Sequence, residues 1–153
     1  MDYRHLYEYA LFITICSHAG QVDKLGRPYS SHPIRVMRMI KTDSYIIKSI
    51  ALLHDFYEDC DTKKYDVSCF PDIVFEKLDL LTHKKGMTYK DYIKRLSRDK
   101  IVTKIKIADL MDNTNPKRLD ELYKKHPKTA LRLAKKYVWA LQYLMEKDKR
   151  RDK

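Results

Sequence analysis

Apolar side chains recur at three- and four-residue intervals along almost the whole chain, the spacing that gives an α-helix one buried stripe. The pattern predicts a first helix from Tyr3 to about Ala19, then a loop, Gln21 to Ser31, that holds Gly26 and Pro28. Pro33 suits the first turn of a second helix running to about Lys41. Asp43 or Ser44 can cap a third helix that ends near Asp59, and a loop spans Cys60 to Ser68. Pro71-Asp72 opens a fourth helix to about Thr82, and His83-Lys84-Lys85-Gly86 reads as a turn. Thr88 can cap a short helix to about Arg98, and Asp99 can cap the next, Ile101 to about Asn113. Pro116 and Pro127 bracket another short helix, and the last runs from Pro127 to near Met145. No segment reads as a strand, a repeat or a linker. The fold class expected is therefore all-α: one compact domain over residues 1–146, of about seven or eight helices, with a basic tail over 147–153.

One place breaks the hydrophobic logic. The third helix is strongly apolar through Ile46, Ile47, Ile50, Ala51, Leu52 and Leu53, yet it finishes in His54-Asp55, with Glu58-Asp59 three residues on. In a continuous helix His54 and Glu58 share a strip, as do Asp55 and Asp59, so the four would project from one face. Such a cluster costs stability through desolvation and like-charge repulsion unless a cation or substrate compensates. Two more residues are similarly out of place. His32 sits at a loop–helix junction before Pro33, and Asp109 interrupts the apolar run from Ile105 to Met111. A lone histidine or a His-Asp doublet is more often structural than ligating. The combination of His32, His54, Asp55 and Asp109 from three helices could instead make a mixed nitrogen and oxygen site. That set suits manganese, iron, zinc or cobalt better than calcium.

Length and composition narrow the alternatives. With 153 residues the chain is large enough for one core and too short for two ordinary ones. No apolar run is long enough for a membrane span, and the apolar stretch from Tyr9 to Ile15 keeps helical periodicity, as a core helix does and a signal peptide does not. Only Gly20, Gly26 and Gly86 are present, which excludes glycine-rich phosphate loops. Cys16, Cys60 and Cys69 show no metal spacing and suit buried thiols in a reducing, cytoplasmic setting. The net charge of +11 can favour anionic ligands. The densest basic run, Lys147 to Lys153, carries no aromatic residues and reads as a frayed helix end, so nucleic acid is not the expected partner.

At this point the motifs resemble a known family. His18-Ala-Gly-Gln21, Gly26-Arg-Pro-Tyr-Ser-Ser-His-Pro33, Ala51-Leu-Leu-His-Asp-Phe-Tyr-Glu-Asp59 and Lys106-Ile-Ala-Asp-Leu-Met-Asp-Asn113 occur in order. They resemble the HD-domain metal-dependent phosphohydrolases, and within them the guanosine tetraphosphate hydrolase domain of the RelA/SpoT homologues and their small stand-alone relatives. The resemblance implies that His32, His54, Asp55 and Asp109 bind one metal ion, commonly Mn²⁺. It implies that Glu58 and Asp59 position or deprotonate the attacking water, and that Asn113 contacts a substrate ribose. Lys24 matches a basic residue beside the nucleotide pocket, Tyr29 lies in the matching loop, and Lys106 fits the pattern. The family reaction is hydrolytic removal of the 3′-pyrophosphate from guanosine 3′,5′-polyphosphates. A small animal-type relative takes a phosphate from a nicotinamide dinucleotide phosphate instead.

Departures from the family pattern cluster where the base would be read. The basic pair expected before the loop glycine is Asp23-Lys24, and Arg27 follows Gly26, where it either replaces the lost cation or is an exposed loop residue. After Asn113, Asn115-Pro116 stands where the family tends to Arg-Thr. His83 and Lys84 can reach a phosphate or simply form a polar turn, the commoner habit of loop residues. His18 is expected to pack or support the site, not to ligate. The alternatives carried forward are a nucleotide or dinucleotide phosphatase of other specificity and a non-catalytic nucleotide-binding module.

Overall fold

The computed structural model describes residues 2–151. In chain order its helices are α1 (Arg4–Ser17), α2 (Ser31–Met39), α3 (Tyr45–Leu52), the single turn α4 (Phe56–Asp59), α5 (Asp72–Leu81), α6 (Tyr89–Leu96), α7 (Lys100–Asn113), α8 (Pro116–Lys125) and α9 (Pro127–Arg151). A 3₁₀ turn covers Thr62–Lys64. Among the described residues the only β-type pairing is an isolated bridge between Val22 and Pro28, which closes the loop before α2. The all-α expectation holds. Several caps hold as well: Ser44, Thr88 and Asp99 each accept a backbone N–H from the first turn of the helix they precede.

The core forms where the predicted stripes meet. Leu6, Ala10 and Ile13 of α1 pack with Ile50, Ala51 and Leu52 of α3, and Val102, Ile105 and Leu110 place α7 in the same cluster. Helix α7 contacts both α2 and α9, so it runs through the middle of the bundle. A helix so placed would be apolar all round if it served only packing. Instead Asp109 and Asp112 are also buried on it, at 3% and 8% exposure.

Three expectations change. The third helix does not reach Asp59: it stops at Leu52, and Leu53–Asp55 form a turn before α4. The last helix does not fray at Met145. It continues to Arg151, whose guanidinium donates to the Ser97 carbonyl and lies 3.3 Å from the Thr103 hydroxyl, tying the basic segment to α7. Residues 152–153 of that segment lie outside the described part. The cysteines are not buried thiols either. Cys16 and Cys69 are exposed and Cys60 is half-buried, because Cys16 shares the outer face of α1 with the exposed Phe12 and Ile15. All three are free. No helix among the described residues is long and apolar enough to cross a membrane.

Candidate metal centre and adjoining cavities

The break after α3 builds the site. Neighbouring residues of an unbroken helix diverge by about 100°, so His54 and Asp55 could not point at one spot. Here the orphan carbonyls at the end of α3 find other partners. Thr14 Oγ1 lies 3.0 Å from the Leu52 carbonyl oxygen, and His54 Nδ1 lies 2.8 Å from the Ala51 carbonyl oxygen. The Phe56 N–H then donates to Leu53 at 2.9 Å, turning the chain. As a result His54 Nε2 stands 3.1 Å from Asp55 Oδ2. His32, in the first turn of α2, brings its Nε2 to 3.0 Å from Asp109 Oδ1 and 3.7 Å from Asp55 Oδ2.

A carbonyl or an ionised carboxylate can only accept, so both imidazoles carry their proton on Nδ1: His54 toward Ala51, His32 toward Asp112 Oδ2 at 2.7 Å. In the neutral imidazole that binds a metal, both Nε2 lone pairs therefore face the centre. His54 Nε2 is buried and makes no well-aligned hydrogen bond, although carboxylate oxygens of Asp55 and Asp109 lie 3.1 and 3.8 Å away. Donor atoms of His32, His54 and Asp109 lie within 4.8 Å of one another, and Asp55 faces the same point. An unpartnered imidazole nitrogen among carboxylate oxygens fits a borderline divalent cation.

The remaining predicted residues surround this point. Tyr29 donates to Asp55 Oδ2 at 2.7 Å. Asn113 donates to Asp109 Oδ1 at 2.8 Å, one turn away on α7, and Lys106 Nζ lies 2.6 Å from Asp109 Oδ2. Glu58 and Asp59 line a cavity of about 200 Å³ together with Tyr29, Asp55, Asp109 and Lys106. Asn113 and Tyr29 also border a second cavity of about 180 Å³, walled by Val22, Leu25, Leu119, Leu122 and Leu133, where Lys24 sits. Arg27 is not brought there. Its guanidinium turns outward to Glu121 at 2.6 Å, with half of its side chain exposed. Asp23, in place of the expected cation, accepts the Leu25 and Arg27 amides and pairs with Arg118 at 2.8 Å, fixing the loop. His18 is buried against Gln21, and Gln21 holds the Asp59 carbonyl at 2.8 Å.

The turn after α5 is more than a polar surface. The His83 amide donates to Glu58 Oε1, and the His83 ring stacks on Tyr92 at 4.8 Å while facing the cavity. Lys84 points away, to Asp79 at 2.6 Å. Three groups escaped the sequence reading. Lys136 of α9 lines the same cavity, 4.1 Å over the Tyr89 ring, and has no carboxylate partner among the described residues. Nothing in a helix rich in lysine singles it out. Asp112 and Arg118 are the others, and only Asp112 carried a signal: it is a second acid three residues after Asp109 in an apolar helix.

The charges follow from these neighbours. Burial pulls the imidazole of His54 down, but Asp55 and Asp109 outweigh it and hold it well above its ordinary value of 6.5. Burial likewise opposes His32, and Asp109 and Asp112 raise it. Burial pushes Glu58 up, against the His83 amide and Lys106. Asp59 is raised by burial and by Asp55. Lys136 is lowered by burial and by Lys106.

The sign of the histidine shifts gives a test. Raised imidazoles take up protons on folding, so their stabilisation is complete below the unfolded value of about 6.5 and is lost as pH rises through the folded values. A cation must displace those protons, so its affinity rises over the same range. Scanning fluorimetry of metal-stripped protein is expected to show a melting midpoint that falls as pH rises above about 6.5, while the upward shift on adding Mn²⁺ grows. A Mn²⁺ shift that shrinks with rising pH would contradict this.

No family model matches the chain. Guanosine-3′,5′-bis(diphosphate) 3′-pyrophosphohydrolase of Vibrio cholerae serotype O1 is 33% identical over 78 residues, covering 49% of this chain. The chain spans only 11% of that protein's length. A solved structure, described as a metazoan ortholog of SpoT that hydrolyzes ppGpp and plays a role in starvation responses, superimposes with a TM-score of 0.68. The match covers 95% of this chain and 92% of that one at 23% identity. The two chains share one fold, and both matches fall on the RelA/SpoT-type hydrolases that the motifs resemble.

Proposed function

We propose that this chain is a metal-dependent phosphohydrolase that removes the 3′-pyrophosphate from a guanosine 3′,5′-polyphosphate, with Mn²⁺ as its cation. The observation that carries the reading is the unpartnered His54 Nε2 inside a ring of His32, Asp55 and Asp109, opening on a cavity lined by both carboxylates and lysines. His32, His54, Asp55 and Asp109 would hold the ion, which supplies Lewis acidity toward a water and a phosphoryl oxygen.

The protein groups do the rest. Glu58, or Asp59 beside it, each raised above its ordinary value by burial, takes the proton of the attacking water. Lys106, held by Asp109, and Lys136 offset charge on the phosphoryl oxygens. Lys136 is suited to this because its ammonium rests on the Tyr89 ring and faces the same cavity as Glu58. The nucleoside takes the neighbouring cavity of mixed polar and apolar lining, reached past Tyr29, Asn113 and Tyr137, which line both. Free thiols and a nucleotide substrate are consistent with a cytoplasmic setting.

One observation favours a second reading. The half-buried Asp23–Arg118 pair stands where the resemblance leads one to expect a cation that stacks on guanine. A different base, as in a nicotinamide dinucleotide phosphate, is the alternative substrate. The test is a panel assayed with Mn²⁺: guanosine 3′,5′-bis(diphosphate), NADPH and adenosine 3′-phosphates, with pyrophosphate and phosphate release followed separately. Pyrophosphate release from the guanosine compound is expected. Phosphate release from NADPH alone would move the chain to the second reading, and no turnover by metal-loaded protein would leave a binding module.

A further inference from the structure

The two imidazoles of the metal centre are anchored unequally. His54 Nδ1 rests on a neutral group, the Ala51 carbonyl at 2.8 Å. His32 Nδ1 rests on a charged one, Asp112 Oδ2 at 2.7 Å. The Asp112 side chain is only 9% exposed, so its charge needs a partner. Arg35, one turn after His32 on α2, supplies it as a fork: Nε to Asp112 Oδ1 at 2.7 Å and Nη2 to Oδ2 at 2.9 Å. The remaining arm of the guanidinium donates to Ser31 Oγ at 2.8 Å, and the Ser31 hydroxyl donates to the Pro28 carbonyl at 2.8 Å. The carboxylate therefore cannot rotate, and the loop and first turn that carry His32 are fixed to α7.

We infer that Asp112, clamped by Arg35, is a positioning residue of the metal centre that acts through His32. The inference rests on the reading of His32, His54, Asp55 and Asp109 as metal ligands. Asp112 holds the His32 proton on Nδ1, keeps the Nε2 lone pair on the ion's side and makes the imidazole a stronger donor than a neutral anchor would. Because Asp109 and Asp112 lie three apart on one helix, α7 supplies both a ligand and the support of a ligand brought by α2. Arg35 has a further effect: by engaging both oxygens it gives the buried carboxylate a counter-charge that does not depend on His32.

The test is Mn²⁺ titration calorimetry at fixed pH on wild type, Asp112→Ala, Asp112→Asn and Arg35→Met, with circular dichroism to confirm folding. Asp112→Ala is expected to weaken Mn²⁺ binding by about 10- to 100-fold. Asp112→Asn, whose amide oxygen still accepts from Nδ1–H, is expected to lose less, and Arg35→Met to fall between wild type and Asp112→Ala. In zinc-loaded protein the His32 Nδ1–H resonance is expected in wild type and Asp112→Asn and to vanish by exchange in Asp112→Ala. A folded Asp112→Ala with wild-type affinity and an intact Nδ1–H signal overturns the inference, leaving only a strut between α2 and α7. If alanine prevents folding, an Asp112→Asn protein with unchanged affinity overturns the contribution of the charge. A wild-type chain that binds neither Mn²⁺ nor Zn²⁺ instead overturns the metal reading on which the inference rests.

Discussion

Asp55→Ala is expected to abolish metal binding and turnover together while the helical fold persists. Asp55 faces both imidazoles, at 3.1 Å from His54 Nε2 and 3.7 Å from His32 Nε2, and its oxygen also takes the Tyr29 hydroxyl at 2.7 Å. Truncation leaves two imidazoles and one carboxylate, Asp109, which Lys106 already half-neutralises at 2.6 Å. Two imidazoles and one carboxylate can hold a divalent ion elsewhere, but here the surviving carboxylate is already paired with Lys106, so the set loses nearly all of its net anionic charge toward the ion. Two effects on folding oppose each other. The Tyr29 hydroxyl loses its acceptor, costing about 1–3 kcal/mol if no water replaces it. Against that, the charge that raises Asp59 disappears. The buried His54 imidazole also loses the carboxylate that holds its proton, so metal-free Asp55→Ala is expected to be less stable near neutral pH while circular dichroism still shows a helical fold. Elemental analysis and turnover on the same preparation check the loss of metal and activity: near-stoichiometric metal in Asp55→Ala would remove Asp55 from the ligand set.

Glu58→Gln is expected to separate the two properties, keeping the metal and lowering turnover by about 10²- to 10⁴-fold. The amide is isosteric, and its oxygen can still accept the His83 N–H, so the staple between α4 and the turn after α5 survives. What it cannot do is take a proton. In wild type, burial holds the Glu58 carboxyl above its ordinary value of 4.5. A base must be unprotonated to act, so kcat falls as pH drops through this raised value, earlier than an exposed glutamate would dictate. A pH–rate profile of the variant should lack that acid limb. Near-wild-type turnover by Glu58→Gln would transfer the proton-accepting role to Asp59, which lines the same cavity and is also raised.

How far the sequence reached can be judged residue by residue. Helix periodicity found the core because burial of one stripe is a local pattern: Leu6, Ala10 and Ile13 announce their common face. Caps were equally legible, since Ser44, Thr88 and Asp99 bond within three residues of themselves. His32, His54, Asp55 and Asp109 were visible as polar residues in the wrong company. The break at Leu53–Asp55 was not, because it depends on Thr14, distant in sequence, reaching the end of α3. Arg27 stayed open between a replacement cation and an exposed loop residue for the same reason: its partner, Glu121, comes from α8. Lys136 was hidden by the many lysines around it, and only tertiary packing shows that it faces the cavity with Tyr89 beneath it.

The turn at Leu53–Asp55 also bears on how this chain can be engineered. Residues with higher helix propensity at His54 and Asp55 would favour joining α3 to α4 and would remove the buried charge. A selection for thermal resistance alone therefore rewards the very substitutions that scatter the donor atoms, since a straightened segment sends its side chains to different faces. Screens on this scaffold should couple melting temperature to metal retention, and variants that gain the first while losing the second are expected to map to this turn.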